Sequence, residues 1–178
     1  MGKRSSLVQN RGLPWGLLLA GLILLTACGA PRGSYRDGWF RVMDIAYRVG
    51  EPPAPWTRES GLGVDLAFAH PAGSRLYADN SCNRYEDIPL RVLSQRLLMG
   101  FTDVEVQTEE VVNLDGRDAM RRSLAARLDG APVGLRTTVL KKNSCVFDMI
   151  LVEPVSSQGS AVSTYEAFVA GFQARERK

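Results

Sequence analysis

Asp115-Gly116 and Asp129-Gly130 stand fourteen residues apart, and Lys142-Asn143-Ser144 follows at a similar interval. Asp-Gly marks a hairpin, because a two-residue turn of this kind needs positive φ at both central positions and these residues tolerate it. Three such turns in succession predict four consecutive strands, each antiparallel to the next. The residues between the turns agree. Thr102–Glu109 alternates, with Val104 and Val106 on one face and Asp103, Glu105, Gln107 and Glu109 on the other. Val112 and Leu114 continue the apolar set, and Glu110 breaks it, as a bulge there would. The acidic face reads as a solvated strand face. Met120, Leu124 and Leu128 suit a helix (i, i+4, i+8) and the even face of a strand equally well. The turns on either side of residues 117–128 select the strand. Val133, Leu135, Thr137 and Val139 alternate cleanly. Cys145–Val152 is apolar on both faces apart from Asp148, as a central strand covered on both sides would be. A buried carboxylate must be hydrogen-bonded or paired, so Asp148 reads as a structural partner before a catalytic group.

Two helices frame this meander. Ile88–Met99 carries Leu90, Leu93, Leu97 and Leu98 on one face, with Asp87 placed to cap it and Gly100 to end it. The second starts at Ser163, with Glu166 three residues on as a capping box. Its apolar stripe is Tyr165, Phe168, Val169 and Phe172; Gly171 costs it a little, and Arg175, Arg177 and Lys178 suit its C-terminal end. Before the meander, Phe40–Val49 reads as one strand and Glu51–Gly63 as a loop fixed by Pro52, Pro53 and Pro55. Trp56 in that loop is either a lid on the core or an exposed binding aromatic. Val64–Ala69 and Arg75–Ala78 read as strands joined by the turn Pro71-Ala72-Gly73-Ser74. The fold class is α+β: a mostly antiparallel β-sheet packed against two amphipathic helices.

The N-terminus sets location. Lys3, Arg4 and Arg11 precede an apolar run from Leu13 to Leu25, too short and interrupted to span a membrane comfortably. Leu25-Thr26-Ala27-Cys28 closes it and resembles the lipobox of bacterial lipoproteins. That resemblance implies diacylglycerol on the Cys28 thiol, cleavage before it, and acylation of the new amine. Residues 1–27 are then a signal peptide, 28–38 an acylated cysteine and flexible tether, and 39–178 a single domain. The expected residence is the outer membrane, facing the periplasm; Gly29 differs from the Asp that resembles an inner-membrane retention signal in Gram-negative hosts. Cleavage also changes the charge. The chain has 22 Lys+Arg and 19 Asp+Glu, and losing the three bases of residues 1–27 leaves 19 of each sign. A neutral protein has no basic footprint for nucleic acid.

The element order resembles the PsbP-like fold, an α/β sandwich named for an extrinsic photosystem protein and shared by bacterial relatives. Cys82, Gly100-Phe101, Leu128-Asp129-Gly130 and Cys145-Val146-Phe147-Asp148 look like landmarks of bacterial lipoproteins with this layout. They are turn and core positions and imply fold; no metal or partner site of that family is matched.

With Cys28 lipidated, two cysteines remain in an oxidising compartment, so Cys82–Cys145 is the expected disulfide. The alternative is that Cys145 is a small buried apolar residue. There is one histidine, His70. No CxxC, HExxH, GxSxG or GxxxxGK[ST] motif occurs, and Gly61-Leu62-Gly63 lacks the third glycine of a dinucleotide site. Glu109-Glu110 and Glu86-Asp87 are adjacent pairs whose side chains diverge. No catalytic, metal or cofactor residue is therefore expected. The sequence favours a non-enzymatic accessory or binding domain, serving an envelope complex or a small lipid-like ligand. The rival is an envelope enzyme that uses Asp148 with His70 or Cys82.

Overall fold

In the computed structural model, which describes residues 33–82 and 87–176, the chain begins with Ser34–Arg36 (β1), Trp39–Val42 (β2), Ile45–Arg48 (β3) and Thr57–Glu59 (β4). Leu66–Ala69 (β5) and Arg75–Cys82 (β6) lead to the helix Leu90–Arg96 (α1). The meander is Phe101–Leu114 (β7), Arg117–Leu128 (β8), Ala131–Lys142 (β9) and Cys145–Pro154 (β10), followed by the helix Val162–Ala170 (α2) and Gln173–Glu176 (β11). Residues 117–128 form a strand, as the flanking turns required. Those turns have the left-handed backbone that Asp-Gly permits: φ is 51° and 76° at Asp115 and Gly116, 50° and 79° at Asp129 and Gly130, and 52° and 55° at Asn143 and Ser144. The signal peptide, with Cys28, lies outside the described residues.

Two antiparallel sheets result, in the orders β1-β2-β3-β11 and β4-β5-β6-β10-β9-β8-β7. The main core draws Phe40, Ile45 and Tyr47 from the small sheet, Phe68, Leu140, Phe147, Met149 and Leu151 from the large one, and Tyr165, Phe168 and Val169 from α2. On the other face of the large sheet, Leu93 of α1 packs with Val139 and Val146, while Leu98 and Phe101 pack with Leu124 and Leu135. The stripe of α2 is buried as its periodicity selects. By contrast, α1 is shorter than the expected Ile88–Met99, and of its stripe only Leu93 is fully buried, with Leu90, Leu97 and Leu98 half-buried. The helix α1 is the crossover from β6 in the middle of the sheet to β7 at its edge.

Several boundaries differ from the sequence reading, each for a local reason. Phe40–Val49 is two strands, because Met43 takes φ 47° and Val42 pairs with Ile45 across a two-residue turn. Part of the expected tether is strand: Asp37 and Gly38 form a further tight turn, at φ 53° and 74°, that pairs β1 with β2. Register breaks in β7 lie between Thr102 and Glu105 and between Val106 and Thr108, before Glu110 rather than at it. Val104 and Val106 thereby leave the face of Val112 and Leu114 and are 38% and 49% exposed, while Glu109 keeps its alternation but is met there by Arg91 and Arg122. Asp87 does not cap α1; Pro89 occupies the N-cap position without a side-chain bond. The capping box is also absent. Glu166 pairs with Arg121, and Glu153 of β10 instead accepts the backbone N–H of Gly159 (3.2 Å) and Ala161 (2.9 Å) at the entrance to α2. Arg175 lies in β11, over the Trp39 ring at 4.0 Å, and does not continue a helix.

Gly171 has a packing reason that composition hides. The N–H of Gly50 donates to the carbonyl of Phe168 at 2.9 Å, which draws the end of β3 against the end of α2. A Cβ on Gly171 would lie 2.4 Å from the Gly50 nitrogen, and one on Gly50 would lie 2.2 Å from the Ala167 oxygen. Gly171 caps α2 at φ −78°, a backbone any residue adopts, so this contact and not the backbone calls for glycine. We expect Gly171→Ala to destabilise by about 1–3 kcal/mol, read as a lower urea midpoint. A stabilised variant would refute this close approach.

Candidate functional site

The residues singled out in the sequence converge, in part, on the β6–β10 ladder. Cys82 lies directly opposite Cys145, and the two form a disulfide with Cα atoms 4.0 Å apart. Strand alternation then divides the ladder between two faces. Cys145, Phe147 and Met149 point into the main core, whereas Val146 faces α1. Asp148 shares the side of Val146, and its cross-strand neighbour is Asp79. The disulfide and Asp148 are therefore on opposite faces of the sheet.

Around Asp79 the carboxylates are linked through backbone and a phenol. Asp65 Oδ2 accepts from the Tyr47 hydroxyl at 2.9 Å and from the Asn80 N–H at 3.1 Å. The Asp65 N–H donates to Asp79 Oδ1 at 3.2 Å. Asp148 differs from its expected state. Its Oδ1 is buried without a hydrogen-bond partner, and no cation pairs with it among the described residues. Burial, and then the charge of Asp79, push its carboxyl up to about 7. Protonation is what makes this burial tolerable: a neutral carboxyl beside a second carboxylate avoids both like-charge repulsion and an unpaired buried charge. Burial and the neighbouring Asp65 likewise hold the Tyr47 phenol well above its usual range. No group of three or more metal-ligating side chains is positioned to hold a metal ion among the described residues.

His70 sits in the turn between β5 and β6. Its Nδ1 accepts the Ala72 N–H at 3.1 Å, and its ring lies 5.1 Å from that of Trp56. Trp56 is half-buried against the main core, in keeping with a lid. From Arg75, beside this turn, β6 runs eight residues to Cys82, a distance of more than about 20 Å at some 3.3 Å per residue. His70, Cys82 and Asp148 are thus at one end, the other end and the far face of the same ladder. They do not share a cleft, and the Cys82 thiol is already bonded to Cys145.

One feature escaped the sequence reading. A cavity of about 210 Å³ at the β9–β10 turn is lined by Arg117, Lys141, Lys142, Cys145 and Val146, among others. Lys142 is committed to Asp115, donating to its backbone oxygen at 2.8 Å and to Oδ2 at 2.7 Å. Asp115 Oδ2 also accepts the Ala174 N–H at 2.9 Å, which ties the β7–β8 turn to β11. The only signal in the sequence was cations flanking two turn dipeptides, which three separate strands bring together.

No family model and no curated protein sequence matches the chain. Solved structures do. The solution structure of cyanobacterial PsbP from Synechocystis sp. PCC 6803 is 14% identical over 85% of this chain and 99% of that one, with a TM-score of 0.53. The crystal structure of LpqN of Mycobacterium tuberculosis, described as involved in cell envelope biogenesis, is 12% identical over 75% of this chain and 84% of its own, with a TM-score of 0.54. At such identities the likeness is one of fold, and the fold is PsbP-like.

Two measurements check this ladder. Asp148 holds its proton to about pH 7 when folded and to about pH 4 when unfolded. Its contribution to stability is complete below pH 4 and is lost as pH rises through 7. Asp148→Asn should therefore leave stability near pH 4 unchanged and raise it at pH 8 by roughly 1–3 kcal/mol, read by urea unfolding at both values. An equal effect at the two pH values would exclude the shifted carboxyl. Thiol titration of the denatured, unreduced protein should find neither Cys82 nor Cys145 reactive, and both after reduction.

Proposed function

We propose that this chain is a bacterial lipoprotein, anchored through acyl chains on Cys28, whose folded domain is a non-enzymatic binding or accessory module of the cell envelope. The observation that carries the reading is Leu25-Thr26-Ala27-Cys28 behind a basic and then apolar leader. It is supported by the fold shared with LpqN, a protein described as involved in cell envelope biogenesis. Among the described residues no helix is long and apolar enough to cross a membrane, so the proposed attachment is the lipid itself. Two or three acyl chains give firm anchoring, where one myristoyl chain has a partition constant of only about 10⁴ M⁻¹. Gly29 after the cysteine favours the outer membrane, with the domain facing the periplasm.

Catalysis is no part of this reading. The residues available to the rival enzyme are dispersed, with Cys82 in a disulfide and His70 at the far end of β6. The test is Cys28→Ser in a Gram-negative host, followed by membrane fractionation and labelling with radioactive palmitate. The wild-type chain should carry label and sediment with membranes. The variant should be unlabelled, and either uncut or released. Normal fractionation of an unlabelled Cys28→Ser protein would sink the proposal.

A further inference from the structure

The large sheet ends in β7, whose outer edge is unpaired among the described residues. The other edge strands are short: β1 and β4 have three residues each and β11 has four. Brevity is one way in which proteins keep sheet edges from templating another chain. The strand β7 has 14 residues. Its first half is guarded in a second way, by the two register breaks before Thr108, since bulges twist an edge away from pairing. From Thr108 to Leu114 the ladder with β8 is regular at every position. That stretch, Thr-Glu-Glu-Val-Val-Asn-Leu, contains no lysine, no proline and no bulge, and its guard is the negative charge of Glu109 and Glu110.

Its hydrogen-bonding capacity follows from the turn. A two-residue turn with both central φ positive closes on a hydrogen-bonded pair, here Leu114 and Arg117. Alternation from Leu114 then aims the backbone N–H and C=O of Asn113, Val111 and Glu109 away from β8, toward the open edge. Val111 is 58% exposed, an apolar side chain left uncovered beside those groups.

Charge specifies the occupant. The strand carries Asp103, Glu105, Glu109 and Glu110, with no Lys or Arg. Glu109 is held by Arg91 and Arg122, and Asp103 by Arg127. Glu105 and Glu110 are exposed and form no ion pair among the described residues. A second copy of this chain, paired edge to edge, would set the acidic strand against itself, and like charges across strands are destabilising. A basic strand with interleaved apolar residues gains from both features.

We infer that the Thr108–Leu114 edge of β7 receives an extended, basic segment of a partner protein as an added strand. The partner's backbone pairs with Glu109, Val111 and Asn113, its Lys or Arg side chains meet Glu110, and an apolar residue covers Val111. Main-chain bonds supply affinity and the alternating side chains supply specificity. The inference goes beyond lipid anchoring and does not depend on it.

The test titrates the full chain, purified in mild detergent, with a labelled peptide that alternates Lys and Val over seven residues. Three peptides are compared: the parent, the same sequence with alternate amides N-methylated, and a Glu–Val counterpart. We expect saturable binding of the parent, weakened tenfold or more by N-methylation, which keeps the charge and removes backbone donors. The Glu–Val peptide should not bind. Val111→Pro removes an outward donor without taking one from the ladder and should abolish binding, and Glu110→Gln should weaken it at least threefold. Unchanged circular dichroism shows that each variant is folded. Equal affinity for the N-methylated peptide would reduce the effect to bulk charge and overturn the inference. So would absence of binding, or a concentration-dependent dimer that Val111→Pro dissolves.

Discussion

The pairing of β10 with β6 is the contact on which the rest of the molecule depends. Every junction within β7–β10 is a hairpin closed by two residues, so those strands find one another locally. The β6–β10 ladder is different, since its Cys82 and Cys145 are 63 residues apart in sequence. It alone among the large-sheet pairings joins the N-terminal strands to the C-terminal meander, and it closes a loop that contains α1, β7, β8 and β9. Closing such a loop costs chain entropy at once, while its contacts repay only when the faces are complete. A cross-link at the end of the ladder removes much of that cost from the unfolded state, roughly 4 kcal/mol on the chain-entropy model.

The same ladder separates what a sequence reveals from what it conceals. Asp115-Gly116 and Asp129-Gly130 could be read directly because positive φ is a local demand with a local chemical solution. The stripes Leu90, Leu93, Leu97 and Tyr165, Phe168, Val169 were legible for a similar reason, since each periodicity belongs to one element. The first helix cap and the capping box were misread because caps are chosen in three dimensions. Glu153, eight residues from Ala161, reaches that N–H, while Glu166 is drawn to Arg121 on β8. Asp37-Gly38 carried the same signal as the later turns, but glycine-rich surroundings made a short hairpin resemble a tether. Gly50 and Gly171 are beyond any local reading, for Gly50 is explained by the backbone of Ala167 and Phe168, and Gly171 by that of Gly50.

Buried charge shows how little of the candidate site could be inferred one residue at a time. Arg122 has a side chain only 3% exposed, and it meets Glu109 at 2.6 Å, with Arg91 of α1 on the other carboxylate oxygen. This network needs α1 over the outer face of the sheet: alternation from Leu114 puts Glu109 on that face, and Arg91 and Arg122 meet it there in place of solvent. Once there, losing either partner would strand a charge, a change that typically costs about 3–5 kcal/mol. Asp148 takes the opposite solution. With Asp79 across the ladder and no cation to answer it among the described residues, the carboxyl holds its proton up to about pH 7. A single sheet face thus holds one charge by pairing and another by protonation, and only the second makes stability depend on pH near neutrality.

The proposed lipid anchor would change what affinity such a domain needs. A partner held in the same membrane, or reached by a short flexible leash, meets the domain at an effective concentration on the order of millimolar. At that concentration a strand addition with a micromolar dissociation constant, worth about 8 kcal/mol, is nearly saturated. The few outward backbone groups of Glu109, Val111 and Asn113 are on the scale of such a modest interaction. A longer unguarded edge would bind more tightly, but it would also template aggregation among crowded copies on one surface. The register breaks before Thr108 hold β7 between those limits, since they leave one regular stretch available and turn the remainder of the edge away.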